Sequence, residues 1–497
     1  MMQNVLRRLG LLAPPALSLL LLSACKVGPN YHRPDAPVAS AYKEDQDWKP
    51  AVPAQIPADE QWWSIYNDPQ LDALERQVVI SNQTLKASEA AYRAATEQIA
   101  IDRAPLFPTI SVNGVRTRSG GGSGFSQGVT TGTGTTVTTN STSRANLYSA
   151  GAQASWQIDV WGRIRRTVES DVAKAQVSAA DVAAARLSAQ VTLAQDYFQL
   201  RAADEQHRLY ADSIKAFETS LTIAQNQVKA GITTLADVYS AETELQSTKA
   251  ADVSVELTRA KFEHAIAVLV GKDPEDVSLE QGEFTRSVPV VPAGLPSDLL
   301  QRRPDIAVAE RTMASSNALI GVAEAAWYPS VTLSASYGFT STALAGLFST
   351  GNSLWSIGPS LSETVFNGGA RLATNRQAWA NYDESVASYR ATVLAAFQAV
   401  EDDLSSLRVL EQQAALQSTA VEDARKSEAL TLNQYKSGIV VYTVLLTAQT
   451  TRLAAEISLL GIQSQQLVSS ADLISQLGGG WTAAQLEQRD RGVPSSH

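Results

Sequence analysis

The side chains best suited to catalysis or metal binding are few and scattered in this sequence. Histidine occurs at positions 32, 207, 264 and 497, and cysteine occurs once, at position 25. Because zinc sites and disulfides need several such groups at defined spacings, this pattern excludes a Cys/His metal site and an intrachain disulfide. Residues 124–128, Gly-Phe-Ser-Gln-Gly, match the G-x-S-x-G pattern of hydrolases, but the strand before it and the helix after it are missing from the sequence pattern. No acidic pair typical of a glycosidase stands out. We therefore predict no enzymatic activity, no metal and no cofactor.

The single cysteine lies at the end of an export signal, where its chemistry is acylation. Two arginines precede an apolar run over residues 9–22, which is too short for a comfortable membrane span and is typical of a cleaved signal peptide. Residues 22–25, Leu-Ser-Ala-Cys, resemble the bacterial lipobox, in which the cysteine is acylated and becomes the first residue of the mature chain. Several acyl chains anchor a protein firmly. Lys26, in place of an aspartate, favours delivery to the outer membrane.

The charge balance argues against a nucleic-acid partner. The 497 residues include 50 acidic and 40 basic side chains, for a formal net charge of −10, and no basic block is present. Binding to a phosphate backbone depends on clustered Lys and Arg, so we predict no nucleic-acid binding.

Two long stretches without proline predict very long helices. Residues 163–230 carry apolar side chains at spacings of three and four, and at 1.5 Å per residue such a helix spans roughly 100 Å. That length is typical of coiled-coil packing rather than of a globular helix. Gly231 ends the helix, and a second helix over residues 235–270 is expected to return beside it. Another shorter helix is expected over about residues 67–103. The same pattern recurs over residues 371–437, followed by Gly438 and another return helix.

The sequence repeats internally. Residues 229–232, Lys-Ala-Gly-Ile, recur as Lys-Ser-Gly-Ile at 436–439, and Val-Gly at 270–271 recurs as Leu-Gly at 477–478 with the same offset. The chain therefore reads as a duplication of roughly 210 residues.

Alternating segments between the helices predict membrane-spanning strands. Residues 147–160, 330–340 and 355–366 alternate apolar and small polar side chains, and a weaker fourth segment starts at Thr109. Their lengths suit tilted strands of an outer-membrane barrel. Aromatic residues near the strand ends predict an interfacial girdle: Phe107, Trp161, Trp327, Tyr328, Trp355 and Phe366.

Four strands cannot close a barrel. An open sheet edge in hydrocarbon leaves unpaired backbone groups, each costing several kcal/mol. We therefore predict a barrel shared among subunits, with two or three chains giving eight or twelve strands.

Three short motifs, together with the duplicated plan, carry a family resemblance. They are Cys-Lys-Val-Gly-Pro-Asn-Tyr at 25–31, Gln-Arg-Arg-Pro-Asp-Ile at 301–306 and Leu-Gly-Gly-Gly-Trp at 477–481. The chain resembles the outer membrane factor family of the TolC and OprM type, in its lipoprotein branch. The resemblance implies a mixed α and β membrane protein: a homotrimer with a shared twelve-stranded transmembrane β-barrel that continues into a long periplasmic α-helical coiled-coil barrel.

The resemblance also implies function and partners. The protein would be the lipid-anchored outer-membrane exit duct of a tripartite efflux pump, passively conducting drugs or other small compounds. Its partners would be a periplasmic adaptor, also called a membrane fusion protein, an inner-membrane pump of the resistance-nodulation-division class, and outer-membrane lipid. The alternative is a periplasmic adaptor lipoprotein, which also has a lipobox and a helical hairpin. The Gly, Ser and Thr composition of residues 119–143 predicts a mobile surface loop. The sequence leaves open the conformation of this loop, the cargo, the cognate pump and the resting state of the gate.

The expected organisation follows the duplication. The segments are a signal peptide at 1–24, a lipidated N-terminal segment at 25–66, a first repeat at 67–271, a linker at 272–303, a second repeat at 304–481 and a tail at 482–497.

Two kinds of site follow from the resemblance. The turns at Gly231 and Gly438 are expected at the periplasmic tip that meets the adaptor, although each glycine also suits a plain helix end. The family closes its tunnel with the helix after the second turn, through an acidic residue and a nearby arginine. Thr447 occupies the acidic position here and Thr450 the arginine position, so the charged latch is absent.

The gate candidates are therefore mostly hydroxyl side chains. They are Thr443, Thr447 and Thr450, with Asp237 after the first turn as a source of charge. A threonine ring is expected to bind cations less well than a ring of carboxylates.

Overall fold

The computed structural model describes most of the mature chain. The described residues are 26–35, 42–44, 61–120, 127–130, 136–139, 145–289, 291 and 299–486. Cys25 and Ser126 lie outside them, as do His497 and parts of the predicted N-terminal segment, linker and tail. The acylation of Cys25 therefore stays a prediction.

The described elements alternate between strand pairs and long helices. In chain order they are α1 (Pro69–Ser81), α2 (Gln83–Arg103), β1 (Thr109–Ser119), β2 (Gln127–Thr130), β3 (Thr136–Thr139), β4 (Ala145–Ile158), α3 (Arg163–Lys229), α4 (Leu235–Leu269), α5 (Leu299–Arg302), α6 (Pro304–Ala325), β5 (Ser330–Ser341), β6 (Ser353–Ser362), α7 (Ala370–Lys436) and α8 (Tyr442–Gln476).

The helix lengths confirm the internal duplication. Helices α3 and α7 have 67 residues each, and α4 and α8 have 35 each. At 1.5 Å per residue, the two longest helices span roughly 100 Å. No helix among the described residues is both long enough and apolar enough to cross a bilayer.

The two long helices end in the same backbone motif. Gly231 has φ 75° and its N–H donates to the Val228 carbonyl at 2.9 Å, while the Ile232 N–H donates to the Gln227 carbonyl at 2.9 Å. The turn at Gly438, with φ 73°, has the same two bonds. This is the Schellman motif, which pairs the last carbonyls of a helix and requires a left-handed residue. The predicted helix ends are therefore correct.

One predicted helix is interrupted. The sequence pattern indicates a single helix from about residue 67 to 103, but the structure has α1 and α2 with Asn82 between them. The Asn82 side chain accepts a hydrogen bond from the Leu85 N–H at 2.9 Å and donates one to the Leu269 carbonyl at 2.8 Å. Asn82 thus caps the start of α2 and pairs a carbonyl at the end of α4, which stabilises the break.

The four long strands form one antiparallel sheet in the order β1-β4-β5-β6. Its register places apolar residues on one face, with pairs such as Ile110 with Ala154 and Tyr337 with Trp355. The opposite face carries mostly Ser, Thr, Gln, Asn and Gly, with Val115, Leu147 and Leu354 as apolar exceptions. The Ser336 and Ser356 hydroxyls on it are 2.8 Å apart. Strands β1 and β6 are the edges of the sheet, as expected for a piece of a larger barrel.

The connection between β1 and β4 contains a second sheet. The Gly, Ser and Thr composition of residues 119–143 predicts a mobile loop, but β2 and β3 pair there, with Val129 opposite Val137. Val and Thr favour extended backbone, which accounts for this short hairpin.

The chain divides into two compact units. The first comprises residues 1–34, 93–177 and 309–388 and contains the four-stranded sheet. Its buried side chains include Arg166, Met313 and Ile320.

The second unit comprises residues 35–92, 178–308 and 389–497 and contains both Schellman turns. Trp62 and Trp63 are buried in it, and the Tyr66 ring packs on Phe198 with centroids 4.8 Å apart. The tryptophan pair therefore has a packing role.

Glycines at equivalent helix ends should differ in their tolerance of alanine. A Cβ on Gly271, which has φ 68°, would lie 2.2 Å from the Ser81 carbonyl oxygen, whereas a Cβ on Gly231 meets nothing within 4 Å. Gly231→Ala should cost only about 1 kcal/mol of left-handed strain. Gly271→Ala should cost about 1–3 kcal/mol more, because the clash is with backbone. Thermal loss of helical circular dichroism at a fixed scan rate measures both, and equal losses would contradict the packing described here.

Candidate functional site

The apolar face of the sheet is the first candidate site, because its side chains are exposed in the single chain. Ile110, Val112, Ile357 and Leu361 are large, apolar and exposed on this face. A contiguous apolar surface of this kind marks a membrane or partner contact. The polar face behind it has no charged side chain among its described strand residues.

The predicted girdle aromatics fall at two ends of the sheet. Five of them lie at or near strand ends that join helices: Phe107, Trp161, Trp327, Tyr328 and Phe366. Trp355 lies at the opposite end, beside Tyr337 on the neighbouring strand. Three aromatic residues that were not predicted for the girdle, Tyr148, Phe339 and Phe348, also lie at this far end. The ring centroids of Phe339 and Phe348 are 5.3 Å apart.

The helix-proximal aromatics are fixed by specific contacts. Trp161 stacks on Tyr328 with centroids 4.7 Å apart, and its indole N–H donates to the Pro329 carbonyl at 2.8 Å. The Arg371 guanidinium lies 5.3 Å from the Trp327 ring centroid. Such aromatic–polar combinations are typical of a membrane–water boundary.

A buried arginine holds the residues that follow the predicted acylation site. The Arg166 side chain is 1% exposed. It donates to the Val27 carbonyl at 3.0 Å, the Gly28 carbonyl at 2.8 Å and the Asn30 side chain at 3.2 Å. Glu169 accepts from Arg166 at 3.0 Å and also binds the Lys26 ammonium. We call this set, Arg166 and Glu169 with residues 26–31, the N-terminal clamp.

The clamp is closed by a close approach of two backbone segments and by two further hydrogen bonds. A Cβ on Gly28 would lie 2.4 Å from the Gly321 Cα, so residue 28 must be glycine. The Tyr31 hydroxyl donates to Glu310 at 2.6 Å, and burial and the Glu310 carboxylate together raise the pKa of that phenol. The Val27 N–H donates to the Trp161 carbonyl at 3.2 Å, which links the clamp to the aromatic pair.

The tip turns expose apolar side chains. Ile232 and Ile439, directly after the two glycines, are 70% and 72% exposed, and Leu235 and Val441 are also exposed. Isolated exposed leucines are common, but four large apolar side chains at two matching turns form a patch.

Beneath this patch lies an aromatic cluster. Tyr435 and Tyr442 are buried with ring centroids 5.8 Å apart, and they pack with Leu445 and Ala241. Burial raises the pKa of both phenols, with a further contribution from Asp237. The cluster joins the second helical hairpin to the first near the tips.

The structure brings only some of the gate candidates together. Thr443 and Thr447 line an open groove of about 450 Å³ with Ser427, Thr431 and Thr451. Thr450 is half-buried, and its hydroxyl bonds the Leu446 and Thr447 carbonyls of its own helix.

Asp237 is engaged elsewhere. Its carboxylate accepts a hydrogen bond from the Thr233 hydroxyl in the first turn, and its charge acts on the Tyr435 and Tyr442 phenols. It does not line the threonine groove.

Two ion pairs that share Asp204, together with a hydrogen bond to the backbone of residue 280, dock the described part of the predicted linker. Arg201 donates to the Glu280 carbonyl at 2.9 Å and pairs with Asp204 at 2.6 Å. Arg259 also pairs with Asp204, at 2.7 Å. Sequence reasoning missed this network because its members lie far apart along the chain.

A second missed feature is a carboxylate cluster on α7 and α8. Burial, with the nearby Asp472 and Asp402 carboxylates, raises the pKa of Asp403 to about 7. Burial also raises the pKa of Asp472, although Gln195 donates to its carboxylate at 2.6 Å.

Among the described residues, no group of His, Cys, Asp and Glu is arranged to hold a metal ion. His207 pairs with Asp252 at 2.6 Å as an ordinary helix-surface contact.

Comparison with known proteins gives the class and the family. The model of the family described as "Outer membrane efflux protein" matches residues 74–272 and 295–479. The "Antibiotic efflux pump outer membrane protein ArpC" of Pseudomonas putida is 30% identical over 469 residues, covering 94% of this chain and 95% of that protein. The "Probable outer membrane lipoprotein SilC" of Salmonella typhimurium is 27% identical, covering 93% and 97%. The solved structure of the outer-membrane channel OprN is 28% identical with a TM-score of 0.83, covering 92% of this chain and all of that one.

These likenesses, with the sheet and the paired helices, define an outer-membrane channel of the efflux class. The chain belongs to the outer membrane efflux protein family. The predicted family and fold class are confirmed, and so is the role as an outer-membrane exit duct for efflux. The findings support this role over the alternative of a periplasmic adaptor.

Removing the clamp arginine should free the N-terminal segment. In Arg166→Met the carbonyls of Val27 and Gly28 lose their donor, which costs about 1–3 kcal/mol for each buried unpaired group. Amide exchange of residues 26–31 should become at least about tenfold faster, as measured by mass spectrometry of peptides from this segment. The matched control is Arg163→Met, at an exposed position on the same helix. Unchanged exchange in Arg166→Met would contradict the clamp.

Asp403 should make stability depend on pH. Its carboxyl has an ordinary pKa of 3.8 and a folded-state pKa of about 7, so folding favours the protonated form. The folded state keeps the full stability that the protonated Asp403 carboxyl allows below about pH 4, and it loses this stability as the pH rises towards 7. Asp403→Asn should therefore raise the melting temperature more at pH 8 than at pH 4. Asp423→Asn, at an exposed position on the same helix, should show no such difference. If Asp403→Asn raised the melting temperature equally at pH 4 and pH 8, the assigned pKa of Asp403 would be wrong.

Proposed function

We propose that three copies of this chain form a passive, lipid-anchored duct across the outer membrane. The observation that carries the proposal is the sheet: its apolar face is exposed, and its edge strands β1 and β6 are unpaired among the described residues. In hydrocarbon those edges must pair, because no water is present to bond them. Pairing of β1 with β6 of a second copy meets this requirement.

The space that a duct needs inside its barrel favours three copies over two. Two copies would give eight strands, and an eight-stranded barrel is nearly filled by its own side chains. Twelve strands leave room for a solute, which a duct requires. The family resemblance also implies a trimer.

Lipid on Cys25 would anchor each copy beside the aromatic ring. The N-terminal clamp holds residues 26–31, so the acylated residue lies one position before a fixed segment. The Val27 N–H donates to the carbonyl of Trp161, a predicted interface residue, and this contact supports a position of the acyl chains at the membrane boundary. The similarity to SilC, a probable outer membrane lipoprotein, supports this assignment.

The tips would dock a periplasmic adaptor. Ile232, Leu235, Ile439 and Val441 form a small apolar patch around the two glycine turns. Such a patch suits the apolar side chains of a partner's helical hairpin. The energy would come from an inner-membrane pump of the resistance-nodulation-division class, since the duct performs no reaction and needs no cofactor.

The gate would rely on hydroxyl side chains. Thr443 and Thr447 are exposed in one groove, and no acidic side chain lines that groove. A threonine ring offers weak dipoles in place of full charges, so it would hold cations only weakly.

The polar face of the sheet points to the cargo class. It presents hydroxyl and amide groups without charge, so the barrel section would not select solutes by their charge. We infer that the cargo includes uncharged and amphiphilic small compounds such as antibiotics. The relative ArpC is the outer membrane protein of an antibiotic efflux pump, which supports this inference.

The assembly and the lipid can be tested in one measurement. Native mass spectrometry of the mature protein, extracted from outer membranes in detergent, should give a complex of three chains that each carry the mass of three acyl groups. A monomer would overturn the shared barrel, and a chain without lipid mass would overturn the acylation of Cys25.

Docking needs a test in cells. In a host strain that lacks this gene, Ile232→Asp together with Ile439→Asp should yield trimers that fail to restore export of a fluorescent efflux dye. Leu416→Asp is the matched control, because Leu416 is 76% exposed on α7 away from the turns. Restored export by the tip variant would overturn docking at the tips.

A further inference from the structure

The membrane section of this acidic chain contains no acid. Residues 104–158 and 325–362, which include all four long strands, have no aspartate or glutamate, although the chain carries a net charge of −10. Their charged residues are Arg116, Arg118 and Arg144, and Arg144 lies outside the described residues. The positive charges in this section therefore have no carboxylate partner within it.

Two of these arginines lie on the apolar face. Arg116 pairs with Tyr148 across β1 and β4, and its guanidinium lies 5.5 Å from the Tyr148 ring centroid. Arg118 pairs with Asn146, two positions further along the same face. Both arginines are exposed. Because side chains alternate along a strand, both share the face of Ile110 and Val112.

Arg116 and Arg118 lie at a depth in the membrane where their side chains can reach a lipid headgroup. Eight residues separate Ile110 from Arg118, which is about 27 Å along a strand and about 20 Å across the membrane for a tilt near 40°. The apolar band of an outer-membrane barrel is about 25 Å tall, and an arginine near its edge costs only about 0–1 kcal/mol. The side chains can extend further towards the surface.

The leaflet follows from the topology. Helices join the opposite end of each of the four long strands, so Arg116 and Arg118 lie at the end of the sheet that joins no helix. With the helices in the periplasm, as proposed, that end of the sheet lies in the outer leaflet. Tyr148, Tyr337 and Trp355 lie at this end and provide the aromatic boundary. In the outer membrane, the lipid of that leaflet is a phosphorylated glycolipid.

We propose that Arg116 and Arg118 bind the phosphate groups of outer-leaflet lipid A, whose acyl chains lie on the apolar face below them. Arginine suits this ligand because its planar guanidinium binds phosphate through two parallel hydrogen bonds and stays charged at every physiological pH. Because no carboxylate of the membrane section competes, the phosphates are the available anions. This inference rests on the proposed function in two respects, that the apolar face meets lipid and that the helices lie in the periplasm.

The test is native mass spectrometry of the mature protein purified in mild detergent, with lipid A counted per chain. The wild type should retain lipid A, and Arg116→Gln with Arg118→Gln should retain at least about fivefold less. Arg376→Gln with Arg390→Gln is the matched control: it removes two exposed arginines from α7 and should leave retention unchanged.

A second experiment uses only the wild-type protein and changes the lipid instead. Wild-type protein stripped of lipid should rebind purified lipid A at least about tenfold better than the same lipid A after enzymatic removal of its phosphates. Equal rebinding, or equal retention by the two double variants, would overturn the proposal. Arginine-dependent retention of glycerophospholipid in place of lipid A would also overturn it. The same spectra report whether the chains are trimeric, so failure of the shared barrel is seen separately from failure of the lipid site.

Discussion

The pairing of backbone groups in hydrocarbon is the constraint on which this structure depends. Each strand of the four-stranded sheet is satisfied by its neighbours except at the outer edges of β1 and β6. Water cannot reach those edges within a membrane, so a second copy must complete the ladder. One requirement thus determines the exposed apolar face, the uncharged polar face and the need for assembly. It also explains why the single chain has large apolar side chains exposed.

The duplication meets a second requirement, that each strand pair leads into helices of matching length. Equal lengths of α3 and α7, and of α4 and α8, follow from repeated sequence, and both repeats end their long helices with the same Schellman bonds. Within each repeat, the glycines at the two helix ends differ in their surroundings. Gly231 and Gly438 have open space around the missing side chain, whereas Gly271 contacts the Ser81 carbonyl. Identical turns therefore serve exposed tips in one place and close packing in another.

Charged side chains are distributed differently in the membrane section and in the helices. The acid-free membrane section contrasts with the helices, where Asp204, Arg201 and Arg259 form buried pairs and where Asp403 is held at a raised pKa. Acids are tolerated where water or a counter-charge is near, and they are absent where lipid is expected. In the N-terminal clamp, the buried charge of Arg166 is instead satisfied by backbone carbonyls of the segment that follows Cys25.

The sequence by itself determined the long helices and their return helices, the four long strands, the turns at Gly231 and Gly438, and the duplication, because these depend on local periodicity and on glycine's freedom at positive φ. The break at Asn82 and the β2–β3 hairpin were visible only in the structure. The family and the efflux role also followed from short motifs. The tertiary structure alone decided which residues meet. It separated Asp237 from the groove of Thr443 and Thr447. It also brought Arg166 onto Val27 across more than a hundred residues of sequence, a contact that no local spacing encodes. Long-range packing has no period, so its partners become visible only in the folded chain.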